Sequence, residues 1–175
     1  AIAGSVQAAH YDLIIANGTI VDGSGKPGYV ADVAIDDGRI AAVGHLGEAQ
    51  ASRFIDARGV VVAPGFIDVH SHADRAFEVP EAASIEGFLR QGVTTSVIGV
   101  DGDMDVDTLD RYVGLADAGQ IGINFMSYIG HNSVRKAVLG SAQRVPSESE
   151  LAAMQALVRE GMDRGAIGLS SGLMY

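Results

Sequence analysis

After residue 72 the apolar residues alternate between the spacing of a helix and the spacing of a buried strand. The predicted strands, including the one that leads into this region, cover residues 60–69, 93–100, 121–129 and 166–169. The helical stripes between them lie at residues 85–89, 109–116 and 151–158. Ser147 and Glu150 are predicted to form a capping box at the start of the last helix. This alternation is typical of a parallel β/α sheet.

The first of these strands ends in two histidines that are separated by one residue. The mostly apolar residues 60–69 lead into His70 and His72, and Asp74 follows closely. Since residues i and i+2 of an extended strand point to the same side, both imidazoles can face one point. A His-x-His pair alone is weak evidence, but parallel β/α folds place their chemistry where buried strands end. The pair is therefore a candidate metal site.

Composition and charge indicate a globular chain and exclude several partners. With 175 residues and 47% hydrophobic content, the chain is large enough to bury a core. The formal net charge of -10 argues against nucleic acid and anionic membrane surfaces as partners, because both require a basic face. No apolar run approaches the roughly 18 residues needed to span a bilayer, so no membrane partner is expected. The chain has no cysteine, which rules out disulfides and thiolate ligands within it.

Two segments are predicted before the β/α region. Residues 1–10 are a tail, mostly small and uncharged, that begins without methionine. Such a tail could be left by a removed signal peptide, which favours a periplasmic or secreted location, or it could be an expression remnant. Residues 11–63 are predicted to be a small antiparallel β domain, because short β-branched runs alternate with turn dipeptides such as Asn17-Gly18 and Asp37-Gly38. Its predicted strands are residues 11–15, 19–21, 30–35, 39–43 and 60–63.

The stretch Pro64-Gly65-Phe66-Ile67-Asp68, directly before the histidine pair, resembles the amidohydrolase superfamily. In that superfamily such a pair ends the first strand of a β/α barrel and binds catalytic metal. The resemblance implies an α/β fold in which residues 64–175 form the first four β/α units of a TIM-like barrel. A complete barrel needs eight strands, so a complementary C-terminal chain or the remainder of the same polypeptide is expected to complete it. A self-contained open α/β domain is the alternative.

Residues 92–102, Gly-Val-Thr-Thr-Ser-Val-Ile-Gly-Val-Asp-Gly, are similar to one branch, the N-acyl-D-amino-acid deacylases. That branch usually shows Gly-Val-Thr-Thr and then Gly-Asn-Cys-Gly, with the cysteine as a metal ligand, whereas this chain has Asp101 at the matching position. The resemblance implies that Asp101 joins His70 and His72 as a metal ligand and acts in catalysis. One or two divalent ions, with zinc preferred, suit this donor set. Alternatively, Asp101 is a turn residue in a solvated acidic loop.

Two later segments are also similar to the deacylases. His131 follows a Gly and precedes Asn132-Ser133-Val134-Arg135, and the resemblance implies that it binds substrate. By itself, such a histidine is also typical of a helix cap. Residues 165–175 are similar to a family segment, Gly-Ala-Leu-Gly-Phe-Ser-Thr-Gly, that leads to a tyrosine near the metal. The resemblance implies substrate binding by Ser171 and a catalytic hydroxyl from Tyr175 that stabilises an oxyanion, although Tyr175 could equally be a core aromatic.

The resemblance implies a metal-dependent amide hydrolase that deacylates N-acyl-D-amino acids or similar small amides. This chain would supply the N-terminal half of the active site, because further ligands and a catalytic base come from later strands in the family. A cyclic-amide hydrolase of the hydantoinase type or a dipeptidase is the alternative within the superfamily. A non-catalytic scaffold subunit or fragment is the alternative from another class, since Asp101 departs from the family pattern.

Overall fold

The computed structural model describes residues 9–173, and the chain divides after Pro64 into two compact units. The elements of the first unit are β1 (His10–Ile20), β2 (Tyr29–Asp36), β3 (Arg39–Gly44), β4 (Gln50–Asp56) and β5 (Val61–Val62). The strands of the second unit are β6 (Phe66–Asp68), β7 (Val93–Ile98), β8 (Asn124–Ser127), β9 (Ile129–Gly130) and β10 (Leu169–Ser170). Its helices are α1 (Asp74–Phe77), α2 (Glu86–Leu89), α3 (Val106–Asp117), α4 (His131–Leu139) and α5 (Glu148–Asp163). Tyr175, a predicted site residue, lies outside the described part of the chain.

The sheet of the first unit is mixed, so the prediction of an antiparallel domain is wrong. Its strand order is β3-β2-β1-β4, and β5 also pairs with β1. The first three strands form two antiparallel hairpins, whereas β4 and β5 run parallel to β1. The chain reverses its direction between β1 and β2 and again between β2 and β3, so β3 runs in the same direction as β1. Residues 45–49 then cross to the other side of β1 without a third reversal, and β4 therefore runs parallel to β1.

The turn predicted at Asn17-Gly18 is also wrong, because β1 continues through it. The pair forms a bulge: the register with β2 shifts between Ile15 and Gly18, and Asn17 has a φ of 61°. The Asn17 backbone N–H donates to Asp32 Oδ1 at 2.9 Å, and its side-chain amide donates to Asp56 Oδ1 at 3.1 Å. An asparagine at position 17 correctly indicates a left-handed backbone conformation. The contacts with the neighbouring strands determine that this conformation forms a bulge rather than a turn.

The second unit has the predicted α/β character. Strands β6, β7 and β8 form a parallel sheet in that order, and β9 and β10 form a separate parallel pair. The hydrophobic core of this unit is built around Ile98, Met104 and Ile129, which are almost completely buried. Because β6 to β8 are parallel, their carboxyl ends lie at one edge of the sheet, where the chemistry of such folds is placed. None of the helices described between residues 9 and 173 is long and apolar enough to cross a bilayer.

The capping box at the start of α5 is confirmed. The Glu150 backbone N–H donates to Ser147 Oγ at 3.3 Å, and the Ser147 N–H donates to Glu150 Oε2 at 2.8 Å. Arg144 also donates to both oxygens of Glu150, at 2.6 and 2.7 Å. The hydrogen bonds from Arg144, and then those from Ser147, lower the pKa of Glu150 to about 2.

We expect Glu150→Gln to reduce the acid sensitivity of the free energy of unfolding. Because the folded-state pKa is about 2 and the ordinary value is 4.5, the stabilisation from Glu150 is complete above pH 4.5 and is lost as the pH falls towards 2. Urea unfolding at a series of pH values measures this. Glu148→Gln in the same helical turn is the control, because it leaves the Arg144 ion pair in place. The expectation would be contradicted if the free energy of unfolding fell by the same amount at low pH in the native protein and in Glu150→Gln.

Candidate metal centre

Two neighbouring parallel strands bring three potential metal ligands together. His70 and His72 follow β6, and Asp101 follows β7. His70 Nε2 lies 3.6 Å from Asp101 Oδ1, and His72 Nε2 lies 3.3 Å from Asp101 Oδ2. One ligand atom from each of the three residues lies within 4.8 Å of the other two. The structure therefore assembles the three residues that were predicted from the sequence as ligands.

The chemistry and spacing of these donors fit a zinc ion or a similar divalent metal. Zinc binds imidazole nitrogen and carboxylate oxygen at about 2.0–2.2 Å, so two ligand atoms of a tetrahedral site are roughly 3.3 Å apart. The separations of 3.6 and 3.3 Å run to different oxygens of Asp101 and are close to this spacing, and one ligand atom from each residue lies within 4.8 Å of the others. The side chains of His70, His72 and Asp101 are 62%, 45% and 32% exposed, so the site is accessible from outside. Three protein ligands leave a fourth position open, as in catalytic zinc sites.

Asp74 adds a further polar group next to the histidine pair. It begins α1, two residues after His72, and its Oδ1 atom is buried without a hydrogen-bond partner among the described residues. Burial raises the pKa of this carboxyl group, and the nearby His72 acts in the opposite direction. A buried carboxylate oxygen without a partner is unusual in proteins. It supports the conclusion that this end of the sheet suits a cation.

His72 lines two clefts of the second unit, and His70 lines one of them. The larger has a volume of about 920 Å³, and its walls include His72, Asp74, Asp101, Asn132 and Lys136. The smaller, of about 610 Å³, is lined by both histidines and by Asp68, Arg75 and Phe88, among others. A small molecule in either cleft would lie next to the potential metal ligands.

His131 and Ser171, the predicted substrate-binding residues, lie close to each other. His131 begins α4, and its Nδ1 is 3.4 Å from Ser171 Oγ. The wall of the larger cleft includes the next two residues, Asn132 and Ser133, rather than His131. The roles of His131 and Ser171 stay predictions. Arg135 of the same motif donates to the carbonyls of Ala142 and Arg144, at 3.0 and 2.6 Å, and so holds the loop after α4.

Sequence reasoning missed two residues that touch the backbone around Asp101. Asn132 donates a hydrogen bond to the Asp101 carbonyl, and Ser170 accepts one from the Gly102 N–H. Each adjoins a residue that was predicted to bind substrate, since Asn132 follows His131 and Ser170 precedes Ser171. Neither asparagine nor serine is a typical zinc ligand. The one sequence signal for these two residues was that they lie in the segments around His131 and Ser171 that resemble the deacylases.

Comparison with known proteins establishes the family. The amidohydrolase family matches residues 53–174, and the chain belongs to that family. The D-aminoacylase of Alcaligenes xylosoxydans xylosoxydans is 37% identical over 187 residues, covering 94% of this chain and 38% of that protein. The crystal structure of N-acyl-D-glutamate deacylase from Bordetella bronchiseptica, in complex with zinc and a phosphonate inhibitor, is 35% identical with a TM-score of 0.85. That match covers 95% of this chain and 39% of the deacylase chain.

A crystal structure of D-aminoacylase is also similar, with a TM-score of 0.84 at 34% identity, and the match covers 94% of this chain and 39% of that one. D-Aminoacylase has a binuclear metal centre with one-metal activation and second-metal attenuation. The resemblance to the deacylase branch, inferred from residues 92–102, is therefore confirmed. The chain spans about two fifths of the length of these relatives.

Proposed function

We propose that this chain supplies the N-terminal part of the active site of a metal-dependent hydrolase that deacylates N-acyl-D-amino acids. The observation that carries the proposal is the convergence of His70, His72 and Asp101 at the ends of β6 and β7. Similarity to D-aminoacylase, N-acyl-D-glutamate deacylase and N-acyl-D-aspartate deacylase, at 35–37% identity, supports this substrate class. One or two divalent ions, with zinc preferred, are the proposed cofactors.

We further infer that the second unit is the first half of a β/α barrel. Within the described residues β6 pairs only with β7, which leaves one edge of the sheet open. Phe66 and Ile67 of β6 are 63% and 56% exposed, and Leu169 of β10 is 51% exposed. Open edges and exposed apolar side chains on strands favour association with further structure. The remainder of the polypeptide, or a complementary chain, is proposed to cover them and to supply the other active-site residues.

The residues of the site have distinct tasks in this proposal. His70 and His72 would hold the ion through imidazole nitrogens, which must be unprotonated to bind a metal. Asp101 would hold the ion through its carboxylate, whose two oxygens face His70 Nε2 and His72 Nε2. A bound divalent ion supplies Lewis-acid chemistry, which polarises an amide carbonyl and lowers the pKa of water. The cleft of about 920 Å³ has room for a small N-acyl amino acid.

An assay with matched enantiomers tests the proposed function, on protein that contains the remainder of the polypeptide or the complementary chain. N-Acetyl-D-glutamate, N-acetyl-D-aspartate and an apolar N-acetyl-D-amino acid are offered beside their L forms and a hydantoin. We expect acetate and the free D-amino acid to be released, with the rate falling to background after chelation and returning when Zn²⁺ is added. Ring opening of the hydantoin alone would favour the cyclic-amide alternative. Metal-loaded protein that contains the remainder of the polypeptide or its complementary chain and hydrolyses none of these compounds would favour a scaffold.

A further inference from the structure

Asp101 presents its carboxylate from a backbone conformation that residues other than glycine rarely adopt. Its φ and ψ are 61° and 14°, in the left-handed region, within a single 3-10 turn at Val100–Gly102. The neighbouring Gly99 and Gly102 also have positive φ, of 67° and 87°. A residue that carries a side chain persists in this region only where the surrounding structure imposes it. The contacts of the turn therefore decide where the carboxylate lies.

Ser170 of β10 closes the turn from one side. Its Oγ accepts a hydrogen bond from the Gly102 N–H at 3.0 Å and donates one to the Gly99 carbonyl at 2.5 Å. These partners are 68 and 71 residues away in the sequence. A single hydroxyl group thus binds both ends of the segment that carries Asp101. Loss of this hydroxyl would leave two backbone groups of the turn unpaired.

Asn132 of α4 holds the same turn from a second direction. Its Nδ2 donates to the Asp101 carbonyl at 3.2 Å, which is the backbone group of the proposed ligand itself. The amide group also packs against Gly102, where an added Cβ atom would lie 2.8 Å from Asn132 Cγ. The close approach of Asn132 and the positive φ of Gly102 together require glycine at position 102.

We propose that Asn132 and Ser170 are positioning residues that hold Asp101 in place for metal binding. Both touch the backbone of the turn, and they keep the carboxylate opposite His70 Nε2 and His72 Nε2. Without them the turn is expected to relax to a more common conformation and to withdraw the carboxylate. This inference rests on the proposed metal site. The ligands follow β6 and β7, whereas Asn132 and Ser170 belong to α4 and β10. Later segments of the chain are therefore needed to form the metal site.

Zinc affinity tests the inference directly. The dissociation constant of Zn²⁺ is measured by competition with a chromophoric chelator, for the native protein and for Asn132→Ala and Ser170→Ala. Each substitution is expected to weaken binding by about 10- to 100-fold, the usual cost of losing a residue that orients a metal ligand. Ser170→Thr keeps the hydroxyl group and is expected to restore an affinity close to the native one. The visible spectrum of the Co²⁺ forms should differ between Ser170→Ala and the native protein.

Asn124→Ala is the matched control. Asn124 Nδ2 donates to the Thr94 carbonyl at 3.1 Å, so this substitution also removes an amide-to-carbonyl hydrogen bond, but at the opposite end of β7. Its zinc affinity is expected to equal that of the native protein. An equal loss of affinity in Asn124→Ala would overturn the inference, because the effect would then reflect general destabilisation.

The remaining outcomes separate this inference from the proposed function. Native affinity in Asn132→Ala and Ser170→Ala, together with loss of binding in His72→Ala, would overturn the positioning role and leave the metal site intact. A native protein that binds no divalent metal would overturn both. If Ser170→Ala does not fold, Asn132→Ala decides the question alone, because its half-buried side chain lies at the wall of the larger cleft.

Discussion

Replacing His72 or His70 with alanine is expected to weaken divalent metal binding by more than about 100-fold, beyond the usual cost of losing an outer-shell contact. Each histidine is one of only three potential ligands assembled within the described residues. Its removal leaves an imidazole and a carboxylate, which together hold a first-row metal much less tightly than three ligands do. The proposed deacylase activity is expected to fall with the metal content.

Metal content per protein, measured by atomic emission after dialysis, and competition with a chelator check this expectation. His45→Ala is the control, because His45 is an exposed histidine of the first compact unit. We expect that variant to retain the native metal content and activity. Unchanged metal content in both His70→Ala and His72→Ala would show that the metal, if bound, is held elsewhere. The proposed function would then lose the observation that carries it.

Gly161→Ala is expected to destabilise the protein by about 1–3 kcal/mol, the usual cost of overpacking a core. Gly161 lies in α5, and an added Cβ atom would overlap Cγ1 and Cδ1 of Ile129. Ile129 is completely buried in β9, so neither its side chain nor the helix can move away freely. The substitution therefore forces α5 away from the strand that leads into α4.

Gly114→Ala in α3 is the matched control for this substitution. No atom lies within 4 Å of a Cβ atom added at Gly114. Because alanine has the higher helix propensity, this variant is expected to be more stable by roughly 0.5–1 kcal/mol. Urea unfolding of both variants measures the two free energies of unfolding. Changes of the same sign and size would contradict the close packing of α5 on Ile129.

Local patterns in the sequence were sufficient for several features of this protein. The spacing of His70 and His72 indicated that both could face one point, and both lie next to Asp101, although they follow β6 rather than belonging to a strand. The alternation of apolar spacings indicated the α/β fold, and Ser147 with Glu150 indicated the start of α5. Each of these features depends on residues within a few positions of one another, where backbone geometry and short-range hydrogen bonds dominate.

The tertiary structure decided the features that depend on distant partners. Asn17 favours a left-handed backbone, but its bonds to Asp32 and Asp56 decide that it forms a bulge rather than a turn. The parallel direction of β4 depends on a crossover that no turn motif announces. The position of the Asp101 carboxylate likewise depends on Asn132 and Ser170, 31 and about 70 residues away. Local propensity shows that a position tolerates an unusual conformation, whereas the long-range hydrogen bonds that require it exist only in the folded chain.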